Sequence, residues 1–207
     1  MTFPRTIDEI NTILDSAEKI IEQSCLPFGL IMEKGLVKPE ILKQKPMEVK
    51  AQGIYENFQT GLIEATRYQT IKKVVENVSD DTAIIATTGK CGRELFTIAD
   101  RPQHIYQVGS MGCASGMGLG IAMNTNKQII ILDGDGAALM KMGSFGTIGA
   151  MAPTNLTHII LDNGAHDSTG GQSTVSPNVN FAQVALACGY RYTVTTDDLA
   201  GFSKALA

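Results

Sequence analysis

The chain has 207 residues, of which 43% are hydrophobic and 18% are charged, as is ordinary for a soluble globular protein. The formal net charge of −4 gives no basic footprint for nucleic acid, and the apolar runs are too short to span a bilayer. The first residues lack a secretory signal, and the four cysteines form no Cys-x-x-Cys pair. We therefore expect a soluble, cytoplasmic protein whose thiols are free and mostly buried.

The sequence predicts few regular elements in the first third of the chain. Apolar residues at helical spacing predict an amphipathic helix over 7–23. After Pro27, the segment 28–32 predicts a short strand. Residues 37–66 are mostly polar and include Pro39, Pro46 and several lysines, a composition typical of a linker.

From residue 67 onward, apolar strands alternate with helices. The predicted elements are a helix over 68–78, a strand over 82–87, a helix over 93–99, a strand over 105–108, a helix ending at Met123, a strand over 127–132, a helix over 138–151, a strand over 157–161, a helix from Asn180 to Cys188, a strand over 190–195 and a helix opening at Asp197 or Asp198. This alternation predicts an α/β fold with a mostly parallel sheet and helices on both faces.

The unusual segments of the sequence all fall at one edge of the predicted sheet. Turns over 87–92, 109–112, 133–136 and 163–172 each follow a predicted strand. In parallel sheets, ligands bind at the carboxyl ends of the strands. The position of these turns therefore predicts a ligand site at this edge.

The turn Gly134-Asp135-Gly136 carries a lone carboxylate directly after one strand, and Asn163 follows the next strand along the chain. Carboxylate and amide oxygens suit a hard cation such as Mg²⁺, which keeps further positions open for phosphate oxygens. The two strand ends therefore predict a site for a metal ion and a diphosphate.

The glycine-rich segments have three other possible interpretations. A Gly-Asp-Gly string by itself is usually only a tight turn. A calcium loop fails because Ala137 takes a ligand position and Ser144 stands where a bidentate Glu is needed. A dinucleotide fingerprint fails because Met123 occupies its third glycine position, which makes a nicotinamide-dependent dehydrogenase a poor alternative.

The GDG turn and the pair Asp162-Asn163 resemble the diphosphate-binding domain of the thiamine diphosphate-dependent decarboxylases, although that family has Asn at the position of Asp162. The resemblance implies the thiamine diphosphate-binding fold, with thiamine diphosphate and Mg²⁺ as cofactors. It also implies that the side chains of Asp135 and Asn163 and the backbone carbonyl of Ala165 bind the metal.

The same resemblance assigns the remaining cofactor contacts. The backbone amides of Gly136 and Ala137, at the start of a helix, would bind the diphosphate. In the segment VGSMGCASGMG, the carbonyl of Gly109 would accept a hydrogen bond from the aminopyrimidine, and Met111 would hold the cofactor in its bent conformation. Thr88, Ser110 and Gly134 complete the predicted cofactor-binding set.

Two further segments indicate the branch of the family. TTGKCGRELF and LDNGAHDSTGGQ are similar to the phosphonopyruvate decarboxylases, which convert 3-phosphonopyruvate to phosphonoacetaldehyde and CO₂. The sulfopyruvate decarboxylases are the alternative, but there we expect an aromatic residue and a Gly in place of His166-Asp167. A non-catalytic domain that binds a diphosphate ligand is a second alternative.

The candidate catalytic residues are His166, Asp167 and Lys90. His166 is a candidate for proton transfer or substrate binding because it follows the predicted metal ligands. Lys90 and Arg93 are candidates for binding anionic groups of the cofactor or the substrate, although a solvated charge on a helix is an equal alternative for Arg93. Ser168 and Thr169 are expected to cap the following turn.

In this family, a Glu in a separate pyrimidine-binding domain activates the cofactor, and this sequence contains no candidate for it. Residues 1–36 resemble only the last helix and strand of such a domain, and 67–207 would be a cofactor-binding domain truncated at its C-terminus. We therefore expect part of a larger enzyme or one subunit of a two-chain enzyme. A homo-oligomer is expected because the family builds its site between subunits.

Overall fold

The computed structural model describes residues 3–32, 34–41, 43, 46–47, 49 and 51–206. The chain divides into two units, Met1–Pro46 and Met47–Ala207. The predicted segments 1–36, 37–66 and 67–207 therefore include some positions outside the described residues, namely Met1, Thr2, Glu33, Leu42, Gln44, Lys45, Glu48, Lys50 and Ala207.

The first unit contains helix α1, Asp8–Ser24, which confirms the predicted helix to within one residue. The helix ends at Cys25, whose left-handed backbone (φ 52°) lets its N–H donate to the Ile21 carbonyl at 2.8 Å. The strand predicted over 28–32 is wrong, because Ile31 makes only an isolated bridge. Its carbonyl accepts the Phe3 N–H at 3.1 Å, and a strand needs a longer ladder to satisfy its backbone.

The second unit is built of alternating strands and helices. In chain order they are β1 Ile54–Asn57, α2 Arg67–Asn77, β2 Ala83–Ala86, α3 Lys90–Ile98, β3 Ile105–Tyr106, α4 Ala114–Ala122, β4 Ile129–Gly134, α5 Asp135–Met140, α6 Gly143–Met151, β5 Leu156–Leu161, β6 Ala165–His166, β7 Gln172–Ser173, a 3₁₀ turn Ser176–Asn178, α7 Phe181–Ala187, β8 Tyr192–Thr195 and α8 Leu199–Leu206. This order confirms the predicted α/β class.

The central sheet has four parallel strands in the order β3-β2-β4-β5. Alternate residues of β4 point to opposite faces, so Ile130 and Leu132 pack with α2, α3 and α8, whereas Ile131 packs with α4. Helices therefore cover both faces, as predicted. Strands β1 and β8 form a separate parallel pair, and β6 and β7 form an antiparallel hairpin.

Two predicted elements differ from the structure. The segment 37–66, predicted as a linker, contains β1, which pairs with β8 from Ile54–Tyr192 to Asn57–Thr195. The single helix predicted over 138–151 is two helices, because Lys141 leaves the helical region (φ −125°, ψ 38°) between α5 and α6. The low helix propensity of Gly143 favours a break at this point.

The predicted caps are largely confirmed. The side chain of Asn180 accepts the Gln183 N–H at 3.0 Å at the start of α7. Asp198 caps α8 by accepting the Gly201 N–H at 2.6 Å. Asp197 instead accepts the backbone N–H of Gly61 at 2.8 Å, so it ties the loop after β1 to the end of β8.

The four cysteines are free, but Cys91 is the only buried one, whereas Cys113 and Cys188 are half-buried and Cys25 is exposed. The prediction of mostly buried thiols is therefore wrong. Burial raises the pKa of the Cys91 thiol to about 11, so it stays protonated and unreactive at neutral pH. Within the described part of the chain, no helix is both long and apolar enough to cross a membrane.

Helix α4 lies directly on the central sheet because Gly118 has no side chain. A Cβ atom at this position would lie 2.4 Å from Cγ1 of Ile131 in β4. Gly120 lies on the same helix, and a Cβ atom there would meet nothing within 4 Å. The two glycines therefore allow a controlled comparison of the same substitution at a packed and at an open position of one helix.

We expect Gly118→Ala to lower the free energy of unfolding by about 1–3 kcal/mol, because the added methyl overpacks the contact between α4 and β4. Gly120→Ala is expected to be neutral or to stabilise by up to about 1 kcal/mol, since Ala favours a helix and space is open. Urea denaturation of both variants measures the difference. Equal effects at the two positions would contradict the close approach of α4 to β4.

Candidate active site

The register between β4 and β5 places the two predicted metal-binding turns side by side. Gly134, the last residue of β4, pairs with Leu161, the last residue of β5. Asp135 and the pair Asp162-Asn163 therefore leave the sheet at neighbouring points of its carboxyl edge. The structure brings these two turns together as the sequence predicts.

Asp135 is buried, with 3% of its surface exposed. Among the described residues, the hydrogen bond to its carboxylate comes from the Thr174 hydroxyl, which lies 2.5 Å from Oδ2. That hydroxyl lies 3.1 Å from Oγ of Ser176, which donates to Oδ1 of Asp162 at 2.7 Å. Two hydroxyls thus link the carboxylates that follow β4 and β5. Neither hydroxyl could be predicted from the sequence, since Thr and Ser are common in loops and carry no motif here.

Asn163 lies in a turn held by its own side chain. Its Oδ1 accepts the backbone N–H of Ala165 at 3.2 Å, and Oδ1 of Asp162 accepts that of Gly164 at 2.9 Å. The Thr174 N–H donates to the Gly164 carbonyl at 2.8 Å, so the segment after β7 closes onto this turn. No group of three His, Cys, Asp or Glu side chains in the described residues is placed to hold a metal ion. The predicted metal site therefore depends on amide and carbonyl oxygens beside one carboxylate.

Three of the predicted turns converge on α5. A Cβ atom at Gly136 would lie 2.7 Å from Cε1 of His166 and 3.1 Å from Cε of Met111. A Cβ atom at Gly112 would lie 2.6 Å from the carbonyl oxygen of Ala137. The absence of side chains at these two glycines lets the segments after β3, β4 and β5 pack together.

These segments line an open cleft of about 70 Å³ at the carboxyl edge of the sheet. It is lined by Arg67, Thr87, Thr88, Lys90, Cys91, Met111, Gly134, Gly136, Ala137, Leu161, Asn163, Ala165, His166, Asp167 and Ser168. Most of the predicted site residues are in this set. Asp135, Gly109 and Ser110 are not: Asp135 is buried, and the other two lie in a turn with positive φ (72° and 44°).

A cluster of four charged side chains lies at the cleft. Nζ of Lys90 is 2.8 Å from Oδ2 of Asp167, and Nη2 of Arg67 is 3.4 Å from the same oxygen. Arg67 also makes a paired contact with Glu94, through Nε at 3.1 Å and Nη2 at 2.8 Å. Arg93 is exposed and does not line the cleft. The sequence suggested Arg93 as a candidate for binding an anionic group. In the structure, the arginine that lines the cleft is Arg67.

The charges in this cluster stabilise each other. The hydrogen bond from Lys90 holds the pKa of the Asp167 carboxyl below its usual value, and that to Glu94 raises the pKa of Arg67. The capping box of Thr66 and Gln69 starts α2 and fixes where Arg67 leaves the helix. That motif is readable in sequence, but nothing in it connects Arg67 to a loop a hundred residues later.

A separate, buried cluster joins β4, β5 and Tyr190, and no pattern in the sequence indicated it. Nε2 of His158 lies 3.0 Å from Oδ2 of Asp133, and Nδ1 lies 3.1 Å from the hydroxyl of Tyr190. The Asp133 and His158 side chains are only 1% and 2% exposed. Oδ1 of Asp133 has no hydrogen-bond partner in the described residues. Burial raises the pKa of Tyr190, which keeps its hydroxyl protonated.

Comparison with protein families matches residues 87–207 to the thiamine pyrophosphate enzyme, C-terminal TPP binding domain. The chain belongs to the thiamine pyrophosphate enzyme family. This confirms the family indicated by the GDG turn. It also agrees with the observed fold, because the matched residues include β4, β5 and all four turns at the carboxyl edge.

Among curated members of the thiamine pyrophosphate enzymes, a phosphonopyruvate decarboxylase of Streptomyces viridochromogenes is 41% identical over 99% of this chain and 52% of its own length. That of Streptomyces hygroscopicus is 40% identical over 99% of this chain and 51% of its own length. The chain thus spans about half the length of these relatives. The sulfopyruvate decarboxylase subunit beta of Methanocaldococcus jannaschii is 44% identical over 67% of this chain and 73% of its own length.

A solved structure supports the observed fold. The benzoylformate decarboxylase of Polynucleobacter necessarius superposes with a TM-score of 0.57 at 12% identity, covering 78% of this chain and 32% of the other. At this identity the likeness concerns the fold alone.

We expect His158→Leu to lower the free energy of unfolding by about 3–5 kcal/mol, because it leaves the Asp133 carboxylate buried without its partner. The double variant Asp133→Leu/His158→Leu removes both polar groups and is expected to regain much of this loss. Urea denaturation of wild type, single and double variants measures these differences. A double variant less stable than His158→Leu would contradict the coupling of this pair.

Proposed function

We propose that the chain supplies the diphosphate-binding half of a 2-oxo acid decarboxylase that depends on thiamine diphosphate and Mg²⁺ and converts 3-phosphonopyruvate to phosphonoacetaldehyde and CO₂. One observation carries this proposal. Asp135 is a buried carboxylate in the turn next to that of Asn163, and no Lys, Arg or His among the described residues pairs with it. A buried charge needs a counter-charge, and a divalent cation supplies one.

The residues present fit the metal and the cofactor. Asp135, the side-chain oxygen of Asn163 and the carbonyl of Ala165 would hold Mg²⁺, while Thr174 fixes the orientation of the Asp135 carboxylate. The backbone amides of Gly136 and Ala137 would meet the diphosphate, with Thr88 and Gly134 beside it and Gly109, Ser110 and Met111 toward the aminopyrimidine. The lack of a side chain at Gly136 lets the ring of His166 and the side chain of Met111 lie close to the start of α5, which brings three of the predicted site segments together.

Thiamine diphosphate supplies, when bound, an acceptor for the electron pair released as CO₂ leaves the substrate. The residues of this chain would bind the cofactor and the substrate and orient them toward each other. His166 is half-buried at the cleft, where its ring can exchange a proton with a bound acid. Lys90 and Asp167 line the same cleft, and Lys90 offers a positive charge to an anionic group.

The choice of phosphonopyruvate is supported by two relatives named phosphonopyruvate decarboxylase that match 99% of this chain. Sulfopyruvate is the alternative substrate, supported by the relative named sulfopyruvate decarboxylase subunit beta. A module that binds diphosphate without catalysis is the second alternative.

The proposal includes a partner. The activating Glu would come from a pyrimidine-binding domain or subunit, and segment 1–36 is proposed to belong to such a domain. The subunit name of the archaeal relative supports an arrangement of more than one chain. We also propose a cytoplasmic homo-oligomer that acts on a small-molecule acid and binds neither nucleic acid nor membrane.

We expect Asp135→Asn to weaken Mg²⁺-dependent binding of thiamine diphosphate by about tenfold or more, because an amide keeps the hydrogen bond from Thr174 but removes the negative charge. Isothermal titration calorimetry of the cofactor, with and without Mg²⁺, measures the change. The matched control is Asp81→Asn, an exposed aspartate before β2 at the amino end of the sheet. Unchanged affinity in Asp135→Asn would refute the metal assignment.

The reaction is tested with the enzyme assembled with its pyrimidine-binding domain or subunit. CO₂ release is measured with phosphonopyruvate and sulfopyruvate at equal concentrations. We expect the larger kcat/KM with phosphonopyruvate, because the phosphonate dianion interacts more strongly with the cations of the cleft. Faster turnover of sulfopyruvate would favour the first alternative, and release from neither acid would favour the non-catalytic module.

A further inference from the structure

We propose that Arg67 and Lys90 form the subsite for the phosphonate of the substrate, and that Asp167 occupies this subsite as an internal counter-ion which the phosphonate displaces. This inference rests on the proposed function and names the groups that recognise the second anion of the substrate. It assigns Arg67 to substrate binding and Asp167 to the control of affinity.

The geometry of the cluster supports an anion subsite. Two cations approach one oxygen, Oδ2 of Asp167, with Nζ of Lys90 at 2.8 Å and Nη2 and Nη1 of Arg67 at 3.4 and 3.5 Å. All three residues line the cleft that also contains His166 and Asn163. The Asp167 carboxylate thus marks the point at which a phosphonate oxygen would receive hydrogen bonds from both cations.

Glu94 positions Arg67 for this task. Its two carboxylate oxygens accept hydrogen bonds from Nε and Nη2 of Arg67 at 3.1 and 2.8 Å, a paired contact that holds the guanidinium plane. Nη1 is left to face Asp167. The Arg67 side chain is 20% exposed, so solvent screens its charge less than that of an exposed arginine.

The contacts of Asp167 indicate that it can be displaced. Its distances to Arg67 are longer than those between Arg67 and Glu94. Its short contact of 2.8 Å is with Lys90, and both of these side chains are about 40% exposed, so water can solvate both charges once the carboxylate turns away. With Asp167 in place, two positive and two negative side chains cancel. Once it is displaced, one positive charge is left in excess at the cleft. An incoming phosphonate therefore replaces one anionic oxygen by another.

The same two cations have a second possible ligand, because the diphosphate of the cofactor is also a phosphorus oxyanion. The amides of Gly136 and Ala137 are the groups proposed to bind that diphosphate. Arg67 comes from the first turn of α2 and contacts Asp167, whereas these amides belong to the start of α5, a separate element. We therefore assign Arg67 and Lys90 to the substrate, and the experiment separates the two ligands.

The test uses the assembled enzyme and three probes. KM is measured for phosphonopyruvate and for pyruvate, which lacks the second anion, and Kd is measured by calorimetry for the non-reactive 3-phosphonopropionate. Arg67→Gln is expected to raise KM for phosphonopyruvate and Kd for 3-phosphonopropionate by about tenfold or more, with less than about a twofold change in KM for pyruvate. Asp167→Asn is expected to lower KM for phosphonopyruvate and Kd for 3-phosphonopropionate by roughly threefold or more, because it removes the negative charge that competes with the phosphonate.

A matched control is Arg101→Gln. Arg101 is 21% exposed and pairs with Asp80 at 3.1 Å, much like Arg67, but it does not line the cleft. We expect it to change none of the three constants by more than about twofold. Thermal unfolding of each variant shows whether it is folded, and the gain of affinity expected for Asp167→Asn cannot arise from a loss of folding.

The outcomes separate this subsite from the proposed reaction. If no 2-oxo acid is decarboxylated but 3-phosphonopropionate still binds through Arg67, the subsite stands and the reaction is wrong. If Arg67→Gln weakens thiamine diphosphate binding and leaves the phosphonate constants unchanged, the cations serve the cofactor and the subsite is wrong. Equal binding of 3-phosphonopropionate by wild type and Arg67→Gln also overturns it.

Discussion

The parallel register between β4 and β5 is the constraint on which the rest of the site depends. Backbone pairing from Ile129–Leu156 to Gly134–Leu161 ends both strands at the same level. The chain must then turn at two adjacent points, and these turns carry Asp135 and Asn163. Because ladder hydrogen bonds fix this register and a slip of one residue would exchange the two faces of a strand, the relative position of the turns is set by the sheet.

Two neighbouring carboxylates, those of Asp133 and Asp135, have different partners. Asp133 contacts Nε2 of the buried His158, and the hydroxyl of Tyr190 contacts the other ring nitrogen. Asp135 has a hydroxyl from Thr174 and, among the described residues, no cationic side chain. A buried carboxylate needs partners for its charge, so Asp133, with His158 beside it, suits a structural role, and Asp135, with no such side chain, suits a bound cation.

Much of the fold could be predicted because its signals are local. Helical and strand periodicity placed α1, α2, α7 and most strands, since each pattern is contained within a few turns or one strand. Strand β1 was missed because its residues Ile54–Asn57 carry no apolar run, and it is stabilised by pairing with β8 near the other end of the chain. The break at Lys141 was missed because the apolar pattern continues through it.

The sequence by itself determined the α/β class, the family and the segments that meet at the carboxyl edge, because these follow from periodicity and from short motifs such as GDG. Only the tertiary structure decided which side chains meet there: Arg67 with Asp167, Thr174 with Asp135 and His158 with Asp133. Each of these pairs joins residues from separate elements. Their contact depends on how strands and helices pack, and no local pattern along the chain encodes that packing.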